Sequence, residues 1–195
     1  MNILFEPFPE TVIVHGKDYA IVTDFREWIK LHELFESTER FTIQTLNMVL
    51  EWYEEKQPED KAQAVRALQD FMLAGEIYNI LNDEDGEQEA YQNPPKKPSF
   101  SFSQDATCIY SAFREVYGID ITNIPYMHWW QFLVLFEGLP AGTEIKERIY
   151  YRTVDLNTIE SKEERKRIKR IKKRIALKEP RKRKVDDYEI GDMFA

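Results

Sequence analysis

The run "YMHWWQFLVLFEGLP", residues 126–140, decides how the chain is read. Eight of the ten residues from Met127 to Phe136 are apolar, two of them tryptophans. Crossing a hydrocarbon core takes about 20 apolar residues in a helix, and His128 and Glu137 close this run well short of that. A helix begun near Pro125 and ended by Gly138 and Pro140, apolar on nearly every side, is the pattern of a helix surrounded by a core. The spacing therefore puts Trp129, Trp130, Phe132 and Phe136 inside, leaving His128 and Gln131 to find buried partners or face a narrow polar seam. Two exposed tryptophans would instead mark a partner site.

Working outward, the flanking elements are helical too. "DFREWIKLHELFES" (24–37) sets Phe25, Trp28, Ile29, His32 and Phe35 on one face, with Asp24 and Glu27 at capping-box spacing. A helix from Thr42 to Glu55 would turn Ile43, Leu46, Leu50 and Tyr53 inward. Another, opened by Pro58 and stopped near Gly75, carries the stripe Ala62, Val65, Leu68 and Met72. In "SFSQDATCIYSAFREVYG" (101–118) Ser103 can cap, Ile109, Phe113, Val116 and Tyr117 bury, and Gly118 suits a left-handed end. "GTEIKERIYYRT" is helical, capped by Thr143. Before all of these, Thr11–Val14 and Tyr19–Thr23 around "HGKD" read as a hairpin with Gly16 in the turn.

The fold class is therefore mainly α: a helical domain with a small N-terminal β-hairpin and a basic C-terminal helix. Residues 1–157 form the helical domain, interrupted by an acidic and proline-rich insert at about 82–99, and residues 158–195 form a basic helical arm with an acidic tail. The 195 residues suffice for one substantial core. No secretory leader pattern opens "MNILFEPFPE", and one cysteine, Cys108, gives no internal disulfide or multi-cysteine metal site, which together point to a reducing cytosol.

Charge is divided unevenly. Residues 158–195 hold 14 Lys/Arg and 8 Asp/Glu, a net +6, so a chain of net −8 carries −14 on the remainder. Ser161 and Glu164 have capping-box spacing at the head of "SKEERKRIKRIKKRIAL". Its apolar residues Ile168, Ile171 and Ile175 form a seam so narrow that it suits a partner helix better than a private core. Arg167, Arg170 and Arg174 flank that seam, and these six residues are the candidate partner-binding set. Thirteen Lys/Arg between 165 and 184 would also bind phosphates, but no aromatic residue is available for base stacking.

Catalytic patterns are weak. His15, His32 and His128 lie in three elements without ligand spacing, and "LNDEDGEQEAYQ" has Leu81 and Gln92 where a calcium loop needs its first and last carboxylates. Cys108 sits in a helix beside Asp105, a setting for a buried thiol rather than a thiolate nucleophile. No glycine-rich phosphate loop can be assembled. The expectation is no enzymatic activity, no cofactor and no metal.

The ordered blocks "TDFREWIKL", "DATCIYSAFREVYGIDI", "MHWWQFLVLFEGLP", "IYYRTVDL" and "KRIKKRIAL" resemble the bacteriophage gene product fifteen family of phages of Gram-positive hosts, with His128-Trp129-Trp130 the most specific part. The resemblance implies a tail assembly chaperone, encoded near the tape-measure protein, that keeps that long protein soluble during tail morphogenesis. The tape-measure protein is then the expected partner, beside other tail proteins, a companion chaperone or a second copy of the chain, with no membrane. The host bacterial cytoplasm is the expected location, and the mature virion would lack the protein. The alternative reading is a nucleic-acid-associated phage protein that binds through the basic helix.

Overall fold

The computed structural model describes residues 2–38, 40–75 and 98–178. Within these, a two-stranded antiparallel hairpin precedes seven α-helices, so the chain is mainly α. The strands are β1 (Thr11–Val14) and β2 (Lys17–Ala20), paired from Thr11 with Ala20 to Val14 with Lys17. Lys17 and Asp18 belong to the second strand, which thus begins two residues before the Tyr19 expected from the β-branched run. The turn is only His15-Gly16, both at positive φ (50° and 74°), the left-handed pair that matches strand twist in a two-residue hairpin. Val12 and Val14 point into the protein while Ile13 stays exposed.

The helices are α1 (Phe25–Ser37), α2 (Ile43–Leu50), α3 (Lys61–Leu73), α4 (Ala106–Tyr117), α5 (Trp129–Glu137), α6 (Glu144–Thr153) and α7 (Lys162–Arg174), with a 3-10 turn at Leu156–Thr158. Several details differ from the sequence pattern. In α1 the Asp24 carboxylate accepts from Arg26 N–H at 2.9 Å and not from Glu27, whose side chain pairs with Lys30. Helix α2 stops at Leu50 because Trp52 and Tyr53 leave it to join the chain after the hairpin: Val22 N–H donates to Trp52 O at 2.9 Å. Ile43, expected inward, is 78% exposed, while Thr45 and Val49 take its place. The buried stripe of α3 is Ala64, Leu68 and Phe71, rotated from the expected one, so Ala62 is exposed. Asp60 rather than Pro58 starts α3, accepting from Gln63 N–H, and its other oxygen meets His15 at 2.9 Å, fixing the hairpin tip.

Helix α5 lies at the centre. It begins at Trp129, four residues after Pro125, because His128 is its N-cap: Nδ1 accepts from Trp130 N–H at 3.0 Å. That bond leaves the proton on Nε2, which donates to Pro9 O at 3.0 Å. The ring stacks on Phe8 at 4.9 Å. Met127 O accepts from Phe25 N–H and Thr23 O from Trp129 N–H, so α1 and α5 start at one short bridge.

Phe132 is fully buried, with near-parallel rings of Phe25 at 4.8 Å, Phe113 at 5.2 Å, Trp129 at 5.8 Å and Phe136 at 6.2 Å around it. Trp28, Trp129 and Trp130 are each 2% exposed or less, which takes the tryptophans out of reach of any partner. Their indole N–H groups serve the backbone: Trp28 donates to Val22 O, Trp129 to Met72 O at 3.0 Å and Trp130 to Phe71 O at 2.8 Å. The last two reach carbonyls in the last turn of α3, where Phe71 O also accepts from Ala74 N–H at 3.0 Å. One flank of α5 is wet after all, since Gln131 is exposed. Gly138 ends the helix, and Gly118 ends α4 at φ +68° as the sequence predicts. The acidic insert at about 82–99, except residues 98 and 99, and the acidic tail lie outside the described residues.

Candidate functional site

Helix α7 forms where a serine cap and a favourable charge order coincide. Ser161 Oγ accepts from Glu164 N–H at 3.3 Å, Glu163 and Glu164 occupy the first turn, and Lys172, Lys173 and Arg174 the last. Negative charge at the N-terminus and positive at the C-terminus both oppose the helix dipole favourably.

The isoleucine seam is already covered. Ile168 is buried at 4% exposure, and Ile171 and Ile175 are half-buried, in a helix packed on α6 and the 3-10 turn of its own chain. The expectation that these three serve as free anchors for a partner helix is therefore corrected: a narrow seam finds enough cover on one neighbouring helix. Arg167, Arg170 and Arg174 are exposed, and Arg167 pairs with Glu164 at 3.2 Å. Of the six candidate residues, the structure gives the cations to solvent and the isoleucines to the fold.

What seats α7 is a polar hub the sequence reading missed. Asp105, at the N-cap position of α4, is 0% exposed yet makes no cap bond. Its carboxylate accepts from Arg152 in two-pronged fashion at 2.6 and 2.9 Å, from Arg148 at 3.2 Å and from Ser101 N–H at 3.1 Å. Burial pushes this carboxyl up, but the Arg152 bonds and charge, the Ser101 N–H and Arg148 together hold it below the usual carboxylate range. Arg152 uses its remaining donors on Ile175 O at 2.8 Å and Ser99 O at 3.1 Å, so one guanidinium joins α4, α6, the end of α7 and the segment leading into α4.

Two further contacts fix α7. Lys172 Nζ donates to Val154 O and to Arg152 O. Gln104 and Lys178 exchange two bonds, Gln104 Nε2 to Lys178 O at 2.9 Å and Lys178 N–H to Gln104 Oε1 at 2.8 Å. The signal that could have found the hub is the run Glu144, Arg148, Arg152, spaced to line one face of α6.

The groups weighed for chemistry stay apart or inert. Cys108 is 3% exposed, and burial first, then Glu144, pushes its thiol up from its ordinary value, the opposite of an activated thiolate. His15 sits in the hairpin turn, His32 edge-on to Phe102, and His128 caps α5, where burial pushes it down despite the Pro9 carbonyl and Glu10. Among the described residues no group of three His, Cys, Asp or Glu is placed to hold a metal ion. Nor is any described helix long and apolar enough to cross a membrane. The calcium-like stretch 81–92 lies outside the described residues.

No curated protein and no solved structure matches the chain. The family model described as Bacteriophage Gp15 protein matches residues 4–177, from the N-terminal segment through the seated basic helix, and the chain belongs to that family.

Proposed function

We propose that this phage protein is a non-enzymatic tail assembly chaperone that binds the tape-measure protein and keeps it soluble while the tail is built. The observation that carries the reading is the family match over residues 4–177, which spans the blocks whose resemblance implies that role. The distribution of polar groups agrees with a binding protein. Asp105, Arg152, His128 and the indole N–H groups are spent on holding helices together, while the exposed cations of α7 form a fixed outward face. Such preorganised charge steers and orients a partner.

Co-expression with the tape-measure protein of the same phage tests this. Soluble tape-measure protein that appears only when this chain is present, and that co-purifies with it, is the expected result. A tape-measure protein that partitions identically with and without this chain refutes the chaperone role.

A further inference from the structure

At 100° per residue, Ile168, Ile171 and Ile175 gather on one side of α7, and Lys166, Lys169, Arg170 and Lys173 gather on the side directly opposite. The first group faces the fold. The four cations are all exposed and together line a shallow hollow on the surface. Among the described residues, the ion pair of α7 is Arg167 with Glu164, which leaves these four out.

We infer that this four-cation stripe is a docking site for an acidic helical face of a partner protein, carboxylates spaced at i, i+3, i+4 and i+7. The spacing matches because the stripe itself has that spacing, and helix side chains three and four apart are neighbours on a surface. The helix that carries these charges is held in place beforehand: Arg152 grips Ile175 O, Lys172 grips Val154 O, and Lys178 and Gln104 bond reciprocally.

Length and surroundings decide between a carboxylate helix and a nucleic acid. From Lys166 to Lys173 the stripe covers two turns, about 10 Å at the rise of an α-helix. Beyond its N-terminal end exposed Lys162 stands among the acids Asp155, Glu160 and Glu163, also exposed, and residues 1–157 carry −14. A duplex places a phosphate charge about every 1.7 Å and continues past the N-terminal end of so short a stripe, onto those acids. At physiological salt, charges within about 8 Å still repel. A two-turn acidic face takes the attraction without meeting the repulsion. The inference rests on the chaperone reading only for which protein bears that face.

The test uses the full chain and a labelled synthetic helix of about 20 residues, long enough to be helical, with glutamates at i, i+3, i+4 and i+7. A scrambled peptide of equal charge and a duplex of about 20 base pairs are the comparison probes, read by fluorescence anisotropy. The variant K166Q/K169Q/R170Q/K173Q should bind the patterned peptide at least about tenfold more weakly, four exposed ion pairs being lost. The control K17Q/K30Q/R66Q, exposed cations on the body, should bind like the natural chain. Should the fourfold variant lose helical circular dichroism, K166Q/K169Q and R170Q/K173Q carry the test, each expected to weaken binding about threefold.

Unchanged binding by the variants, or equal binding of the scrambled peptide, overturns the inference. So does a duplex bound more tightly than the patterned peptide through the same four residues, or a self-association in sedimentation that the fourfold variant abolishes. The tape-measure protein is absent from this assay. Failure of co-expression with a positive peptide result therefore counts against the chaperone role alone, and the reverse outcome against the stripe alone.

Discussion

Replacing Asp105 by alanine strands two guanidinium groups, and the structure says which one matters. Arg152 has a side chain 9% exposed and gives Asp105 its two short bonds, whereas Arg148 is 29% exposed and keeps Glu144 at 2.6 Å. Removing one partner of a buried ion pair costs about 3–5 kcal/mol, because the other charge stays buried without compensation. Arg148, with its outer partner intact, adds little beyond the fraction of a kcal/mol typical of exposed pairs. The expectation for Asp105→Ala is thus a loss of about 3–5 kcal/mol in urea unfolding, against a total of about 5–15 kcal/mol for ordinary domains. Arg152→Met should cost a similar amount, limited by protonation of Asp105 once its counter-charge is gone. The double variant should cost less than the two losses added, by about 2 kcal/mol. There is also a local readout. The hub holds Ile175 O, so trypsin should cut α7 between Arg165 and Arg174 faster in either single variant. Acid adds a third. Asp105 titrates lower in the folded than in the unfolded chain, so its stabilisation is complete above the unfolded value of about 3.9 and is lost as pH falls through the folded value. Strict additivity of the two substitutions, with no change in the trypsin pattern, would refute the idea that one ion pair seats the basic helix.

His128 gives a separate pH signature: its folded pKa is lowered from 6.5, so it removes stability as pH falls from about 6.5 toward the folded value, and the natural chain minus His128→Asn in unfolding free energy should show that slope. Asparagine preserves the N-cap, so near pH 8 the substitution should cost about 2 kcal/mol, for the lost Pro9 bond and the lost stacking on Phe8. Phe132→Ala should cost about 3–5 kcal/mol in urea unfolding, as four stacked neighbours line the cavity it leaves. Gly138→Ala places a Cβ 3.1 Å from Tyr117 Oη, whose hydroxyl donates to Leu135 O, and should lower the melting temperature, whereas the same change in Tyr117→Phe should cost less.

Which features were legible in the sequence follows from how local their causes are. The α5 run, the Gly118 end of α4 and the Ser161 cap depend on side chains a few residues apart, and periodicity or cap chemistry reads them directly. Ile43 and Ala62 were misplaced because two helical faces can look alike until a neighbour chooses. Tyr53 leaves α2 to meet Ile21, and its hydroxyl donates to Ala64 O, which rotates the buried stripe of α3. The isoleucine seam was legible as a seam, but not its occupant, because the covering face belongs to α6, which the contact of Arg152 with Asp105, 47 positions away, helps to position. The sequence pattern offers Ser103 as the cap of α4, whereas Asp105 occupies the N-cap position. Nothing within its own segment signals that two arginines arrive from α6.

Residues 76–97 join two ends that are each fastened from elsewhere. The α3 carbonyls of Phe71 and Met72 are held by the indoles of Trp130 and Trp129, and Ser99 O is held by Arg152. A connection whose anchors do not depend on its own content can change length at small thermodynamic cost. Doubling its residue count adds only about 0.6 kcal/mol of loop-closure entropy. The tryptophan pair and the arginine therefore moor the two edges of this connection to the aromatic core and to the polar hub.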